Sequence, residues 1–327
     1  MRSRTIIASL AVASTAAALF APMATAATKT TKKAATKKVA PKAKAPAAPA
    51  TTAAPATTAA PAPVTTAAPA AAPAAGGATL EALKKKGKVT IGVKFDVPLI
   101  GLKNPVTGGL SGLDVEMGKI IAKAIYGTDK GTVEFVEAIS ANRLPFVKDN
   151  KVDVMLSTFS ITDARKKEIG MAGPYYIAGQ DLLIYKVELN NIKSITDMGG
   201  RKVCAQTGST SIANIKAGAP TAIVLDLPTT ANCVEALKDG RVDAVSTDDL
   251  LLAGFAEKNP QLALVGKQFS VERYGVGVKL GDDAFRSYMN DVIEASYKDG
   301  SWKKAVESTV GSGGVKTPEP PKVDRYN

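Results

Sequence analysis

The run Ser157-Thr-Phe-Ser-Ile-Thr-Asp-Ala-Arg165 sets two small hydroxyl-bearing residues, Thr158 and Ser160, just past an apolar stretch at 152–156, with an arginine five residues beyond Ser160. Backbone N–H groups and hydroxyls at a strand end, beside a guanidinium, suit a small carboxylate, because the arginine fork matches a carboxylate's two oxygens. A second run, Gln206-Thr-Gly-Ser-Thr210, lies between a strand-like and a helix-like stretch. There Gly208 permits a tight turn, and Ser209 or Thr210 can cap the helix while its first N–H groups face an anion. Asp248 follows the apolar stretch 242–246 and offers a carboxylate, while Asp249 beside it reads as a helix N-cap. Histidine is absent and the two cysteines have no metal-like spacing, which removes the commonest general base and metal ligand. No cofactor, metal or catalytic pair is therefore expected.

The elements that must position these residues alternate along the chain. Strand-like runs at 89–95, 133–137 and 152–156 alternate with helix-like runs at 114–124 and 141–148, and Asp114 reads as a possible N-cap. A second series follows residue 180, with strands at 202–205, 223–227 and 242–246 and helices at 211–217, 230–238 and 250–257; the stretches 282–298 and 302–308 are helical again. Apolar strands near 180–186 and 274–279 flank that series. This βαβ rhythm predicts an α/β fold of two lobes, 79–183 with 275–327 and 184–274, each a helix-covered, mostly parallel sheet. Two crossovers make a hinge, and a ligand site belongs in the cleft between the lobes. One continuous α/β domain is the competing topology.

Residues 1–26 read as a secretory signal, with Arg2 and Arg4, an apolar stretch at 6–20 and the small residues Ala24-Thr-Ala26; an uncleaved anchor is the alternative. No cysteine follows this stretch before residue 204, so lipid attachment near the start is not expected. Residues 27–78 are low-complexity Lys/Ala/Thr and then Ala/Pro/Thr, with almost no large apolar side chains to bury, and are expected to form an extended tether. Residues 1–78 hold nine of the 42 Lys/Arg and no Asp or Glu. The remaining 33 therefore face 30 acids, so only +3 of the +12 charge belongs to the folded part. That division weakens a nucleic-acid reading. For the basic segment 29–44, a solvated spacer and a contact with anionic cell-wall polymer or membrane are the better readings. In an exported chain the two cysteines, Cys204 and Cys233, point to one disulfide, with buried free thiols as the alternative.

Seven stretches in order carry a family resemblance over 79–302. They are Ile91-Gly-Val-Lys-Phe-Asp96, Leu110-Ser-Gly-Leu-Asp114, Ser140-Ala-Asn-Arg143, the run ending at Arg165, Val203-Cys-Ala-Gln-Thr-Gly-Ser-Thr-Ser211, Gly240-Arg-Val-Asp-Ala-Val-Ser-Thr-Asp-Asp249 and Tyr274-Gly-Val-Gly-Val278. Together they resemble the polar-amino-acid solute-binding proteins of ABC importers, particularly the glutamate/aspartate branch. The resemblance implies a periplasmic-binding-protein-like fold, an extracytoplasmic location, a membrane permease as partner and a monomer. It implies that Arg165 grips an α-carboxylate with help from Thr158 and Ser160, that Gln206, Ser209 and Thr210 supply the second lobe's grip, and that Asp248 binds the α-ammonium. Lys94, Ser140 and Arg143 match positions that meet a side-chain carboxylate, so an acidic amino acid is expected. Glutamine, asparagine or another polar amino acid, and an exported enzyme or sensor on the same fold, are the alternatives. The end 317–327 resembles the Pro-rich ends of some glutamate/aspartate binders, with a frayed terminus as the other reading.

Overall fold

Strands that are covered on both faces must be apolar at every position, and the runs around the predicted site meet that condition. The computed structural model describes residues 76–127 and 131–326. Helix α1 (Gly77–Lys86) leads into β1 (Lys88–Val93), whose Val89, Ile91 and Val93 are fully buried. A small three-stranded sheet follows, made of β2 (Asp96–Val97), β3 (Gly101–Lys103) and β4 (Leu110–Ser111). Then come α2 (Leu113–Tyr126), β5 (Thr132–Glu137), α3 (Arg143–Lys148), β6 (Val154–Ser160), the single turn α4 (Asp163–Lys166) and β7 (Gly170–Ala178). The second series comprises β8 (Gln180–Tyr185), β9 (Lys202–Gln206), α5 (Ser211–Gly218), β10 (Ile223–Leu227), α6 (Thr230–Lys238), β11 (Ala244–Asp248), α7 (Asp249–Lys258) and β12 (Leu262–Leu264). The chain returns through β13 (Glu272–Val278) and closes with α8 (Asp283–Lys298) and α9 (Ser301–Ser308).

Two five-stranded sheets result. The first has the order β5-β1-β6-β13-β7, with β5, β1 and β6 parallel and β13 antiparallel to both its neighbours. The second has the order β10-β9-β11-β8-β12, with β10, β9 and β11 parallel and β8 antiparallel to β11 and β12. This is the two-lobed, periplasmic-binding-protein-like α/β architecture expected from the sequence. Helix α2 buries Met117, Ile121 and Ile125 at fourfold spacing, each contributing about 1.5–3 kcal/mol of burial. It reaches the sheet at Gly118, where a Cβ would stand 2.6 Å from the Phe135 ring. In the second lobe, Cys204 of β9 and Cys233 of α6 form a disulfide with Cα atoms 5.4 Å apart. Closing a loop of that length contributes roughly 3–4 kcal/mol in the chain-entropy model.

Several sequence expectations move. The first crossing falls at Gly179, because β8 pairs into the second sheet from Gln180 onward rather than belonging to the first lobe up to 183. The return falls at residues 265–271, so all of β13 from Glu272 lies in the first sheet, three residues earlier than expected. The pairing of β13 with β7, Glu272 opposite Ala178, sets both limits. Helix α1 starts at Gly77, so the last two residues of the expected tether are helical. Gly76 is the N-cap of that helix, and residues 27–75 of the tether and the whole export signal lie outside the described residues. The end of the chain is laid along β7: the Asp324 N–H donates to the Gly173 carbonyl at 2.8 Å, and the Met171 N–H donates to the Tyr326 hydroxyl at 2.8 Å. Among the described residues, no helix is long and apolar enough to cross a membrane.

Candidate functional site

Strand β6 is buried at all seven positions and carries Thr158 and Ser160 within it rather than beyond its end. Ser157 and Thr158 adopt positive φ, 55° and 48°, a left-handed conformation that non-glycine residues rarely take and that costs of order 1–3 kcal/mol each. Two buried charges hold them there. Arg143, at the start of α3, donates to the Ser157 and Thr158 carbonyls at 3.1 and 2.8 Å. Asp114 accepts the Thr158 N–H at 2.9 Å and the Tyr175 hydroxyl at 2.6 Å. Asp114 is therefore not a cap: α2 is capped by Gly112, and the carboxylate is turned into the lobe.

Arg165 sits on α4, whose N-cap Thr162 accepts the Arg165 N–H. Its guanidinium donates to the Ser160 carbonyl at 2.7 Å, and the Phe159 ring lies under both arginines, 4.6 Å from Arg165 and 4.8 Å from Arg143. The two guanidinium groups also converge on the Gly208 carbonyl of the second lobe, each at 3.4 Å. Gly208 has φ 78°, and a Cβ there would lie 2.8 Å from the Ala141 Cα, so this turn of the second lobe packs directly on the first. Lys94, which follows β1, completes the bridge. Its ammonium donates to the Ser140 hydroxyl at 3.3 Å and to Gln206 Oε1 at 3.1 Å, and the Ser140 hydroxyl donates to the same Oε1 at 2.7 Å. Among the described residues, the Gln206 Nε2 is buried without a hydrogen-bond partner.

The expected helix caps of the second lobe differ from those observed. The Ser209 hydroxyl donates back to the Gln206 carbonyl at 2.7 Å and shapes the turn. Thr210 is the N-cap of α5 but makes no side-chain cap bond; its hydroxyl donates to Glu272 Oε2 at 2.8 Å. Ser160 donates to the same oxygen at 2.5 Å. Asp248, not Asp249, is the N-cap of α7, and its carboxylate accepts the Tyr274 hydroxyl. Asp249 is the first helical residue and accepts N–H groups of Leu250 and Gly179 at 2.8 and 3.4 Å.

Burial dominates the electrostatics. It lowers the Lys94 ammonium to about 8, with Arg143 adding to the shift, and lowers Arg143 to about 9 with help from Arg165. Arg165 is lowered to about 10. Burial raises Asp114 to about 6 and, joined by the Glu272 charge, raises Asp248 to about 7. Among the described residues, Lys94, Arg143 and Arg165 have no carboxylate within 4.0 Å; each is hydrogen-bonded to neutral oxygens. The carboxylates of Asp114, Asp248 and Glu272 are likewise held by neutral donors. A cavity of about 440 Å³ opens beside this cluster, between Arg165, Phe159, Gly208 and α3. All ten predicted residues thus meet at the junction of the lobes, with Ser209 turned inward on its own loop. Such a set can bind and orient a zwitterion.

Three participants escaped the sequence reading: the carboxylate of Glu272, the inward turn of Asp114 and the hydroxyl of Tyr274. Glu272 and Tyr274 are two apart on one strand and share its buried face, while Val271 is 71 % exposed. A carboxylate in phase with a buried tyrosine is the signal that could have found Glu272.

Residues 89–312 match the family described as bacterial extracellular solute-binding proteins, family 3. The chain is 40 % identical over 225 residues to the ABC transporter glutamine-binding protein of Bacillus subtilis (strain 168), covering 68 % of this chain and 81 % of that protein. It is 33 % identical over 246 residues to a glutamate-binding protein of Corynebacterium efficiens, covering 72 % and 83 %. Among solved structures, the solute receptor for L-cysteine of Neisseria gonorrhoeae is similar with a TM-score of 0.67 and 32 % identity, over 73 % of this chain and 97 % of that one.

Proposed function

Because this chain belongs to family 3 of the bacterial extracellular solute-binding proteins, we propose that it captures an acidic L-amino acid, glutamate or aspartate, for the permease of an ABC transporter. The observation that supports the acidic ligand is the set of three buried cations, Lys94, Arg143 and Arg165, with no carboxylate within ion-pair distance among the described residues. A buried charge without a partner costs several kcal/mol, and a ligand with two carboxylates supplies the missing partners. In this reading Arg165 takes the α-carboxylate, Lys94 with Ser140 and Gln206 takes the side-chain carboxylate, and Asp248 takes the α-ammonium. Arg143 contributes its charge while its N–H groups hold the Ser157 and Thr158 carbonyls. Ligand contacts with both lobes shift the population toward the closed form, and no bond is made or broken.

The protein acts outside the cytoplasm as a monomer, and the basic segment 29–44 serves as spacer or wall contact. Wall retention of a chain lacking 29–44 separates those two roles. A second reading, glutamine as ligand, is favoured by the 40 % identity to a glutamine-binding protein. Calorimetric titration with glutamate, aspartate, glutamine, asparagine and arginine decides between them. Tightest binding of glutamate or aspartate is expected. A tenfold preference for glutamine would replace the acidic reading, and silence toward all five would end the importer reading.

A further inference from the structure

Glu272 opens β13 directly after the second crossing and is 3 % exposed. Its Oε2 accepts the hydroxyls of Ser160 and Thr210, at 2.5 and 2.8 Å. Its Oε1 accepts the Asn214 amide at 2.7 Å and the Ser270 hydroxyl at 2.9 Å. The donors come from the first lobe, from α5 of the second lobe and from the crossing between them. A carboxylate so placed has its acceptor sites filled by neutral donors and stays in position without a salt bridge.

A hydroxyl has one proton to give and two lone pairs. With the protons of Ser160 and Thr210 committed to Glu272, those oxygens can meet a ligand only as acceptors. They can receive an N–H from an ammonium, and they cannot donate to a carboxylate. This reverses the part expected of Ser160, which was to help grip an α-carboxylate, and replaces the helix-cap role expected of the Thr210 hydroxyl. The charges around them agree. The Glu272 charge raises the Asp248 carboxyl, and Arg165, which donates to the Ser160 carbonyl, is left as the donor for the anionic end of a ligand.

We infer that Glu272 is a specificity-determining, positioning residue: by holding the protons of Ser160 and Thr210 it makes the cleft demand an α-ammonium and reject the otherwise identical acid that lacks one. The inference rests on the reading of the site as one for an amino acid. It adds the chemical class that is refused, the simple dicarboxylic acids.

In Glu272→Gln the shape is kept, and because the Asn214 amide donates to both Gln180 Oε1 and residue 272, the glutamine oxygen takes the Oε1 place. Its N–H groups then face Ser160 and Thr210, so the two hydroxyls become acceptors there and free their protons for the ligand. Affinities for L-glutamate and for glutarate, which lacks only the ammonium, are measured by calorimetry and by displacement. The glutamate-to-glutarate ratio is expected to fall about tenfold or more in Glu272→Gln, mainly through loss of glutamate. An equal loss of both ligands, or of neither, overturns the inference. If the unaltered protein prefers glutamine, the pair becomes L-glutamine and glutaramate; the acidic reading then fails while this ratio still tests Glu272. Should Glu272→Gln unfold on thermal scanning, Thr210→Val provides the same ratio, since a lost acceptor costs only the ammonium-bearing ligand. A crystal structure of the complex decides where glutarate binds too weakly to read. The ligand nitrogen within hydrogen-bond distance of Ser160 Oγ or Thr210 Oγ1 supports the inference, and a ligand carboxylate on either hydroxyl overturns it.

Discussion

The first lobe brings three buried cations, Lys94, Arg143 and Arg165, together with the buried carboxylates of Asp114 and Glu272, whereas the second brings Gln206, Ser209 and Thr210, which are neutral, and the carboxylate of Asp248. The two walls are also held differently. The arginines of the first wall are tied to backbone carbonyls of Ser140, Ser157, Thr158 and Ser160 on their own lobe, so their positions do not depend on closure. The second wall is a turn at Gln206–Gly208 and a helix start, and its partners lie largely across the cleft: Gln206 on Lys94 and Ser140, Gly208 on the two arginines, Thr210 on Glu272. A preorganised wall with an excess of cations thus faces a weakly acidic one that is completed by closing. In the proposed reading a zwitterion lies between them with its carboxylates toward Lys94 and Arg165 and its ammonium toward Asp248 and the Ser160 and Thr210 hydroxyls.

The sharpest way to break this contrast is Arg165→Ala. It removes the donor proposed for the α-carboxylate, which glutamate and glutamine share, and calorimetry should show a loss of about 100-fold or more for both. Loss for only one of them would place the α-carboxylate elsewhere. Asp248→Asn tests the opposite wall and should weaken every amino acid by about 10- to 100-fold, as expected for a charged hydrogen bond in a closed site. Lys94→Met is the finer test. It should cost glutamate about tenfold and glutamine little, and in the unaltered protein the same preference should fade as pH rises through about 8, where Lys94 gives up its proton.

The smallest effect concerns stability. Asp114 and Asp248 have folded values raised from 3.8 to about 6 and about 7, so the folded state holds more protons than the unfolded state between those limits. Their contribution is fully present below about pH 3.8 and is lost as pH rises through 6 to 7. The melting temperature without added ligand should therefore fall by several degrees between pH 4 and pH 7.5, roughly the effect of a few kcal/mol on a domain of this size. The exposed carboxylates Glu134 and Asp197, which shift downward, oppose this only weakly. Asp248→Asn should show a shallower fall, and an unchanged slope would remove Asp248 from the account.

Much of the arrangement was legible beforehand because strand ends carry it. Lys94 follows β1, Thr158 and Ser160 end β6, Gln206 ends β9, and Asp248 ends β11; the βαβ rhythm places all these ends at one crevice. What misled was local grammar. An aspartate before an apolar helix looks like a cap, yet Asp114 spends its carboxylate on Thr158 N–H, 44 residues away. Thr210 looks like the cap of α5 but serves Glu272, 62 residues on. The crossings were misplaced by a few residues because β7 and β8 are both apolar and nearly continuous, and nothing in that run marks a change of sheet except Gly179.

By itself the sequence determined the alternation of strands and helices, the two-lobe plan, the separation of the basic leader from a nearly balanced folded part, and the one disulfide that two cysteines allow. Those follow from side-chain period, composition and counting, which neighbouring residues express. Only the tertiary structure decided that, among the described residues, the three cations would lack ion pairs and that Ser160 and Thr210 would spend their protons on Glu272. It also moved the change of lobe to Gly179. The physical reason is that a hydrogen bond's direction and a buried charge's cost depend on partners brought together across the cleft, and no local run of residues encodes which partner arrives.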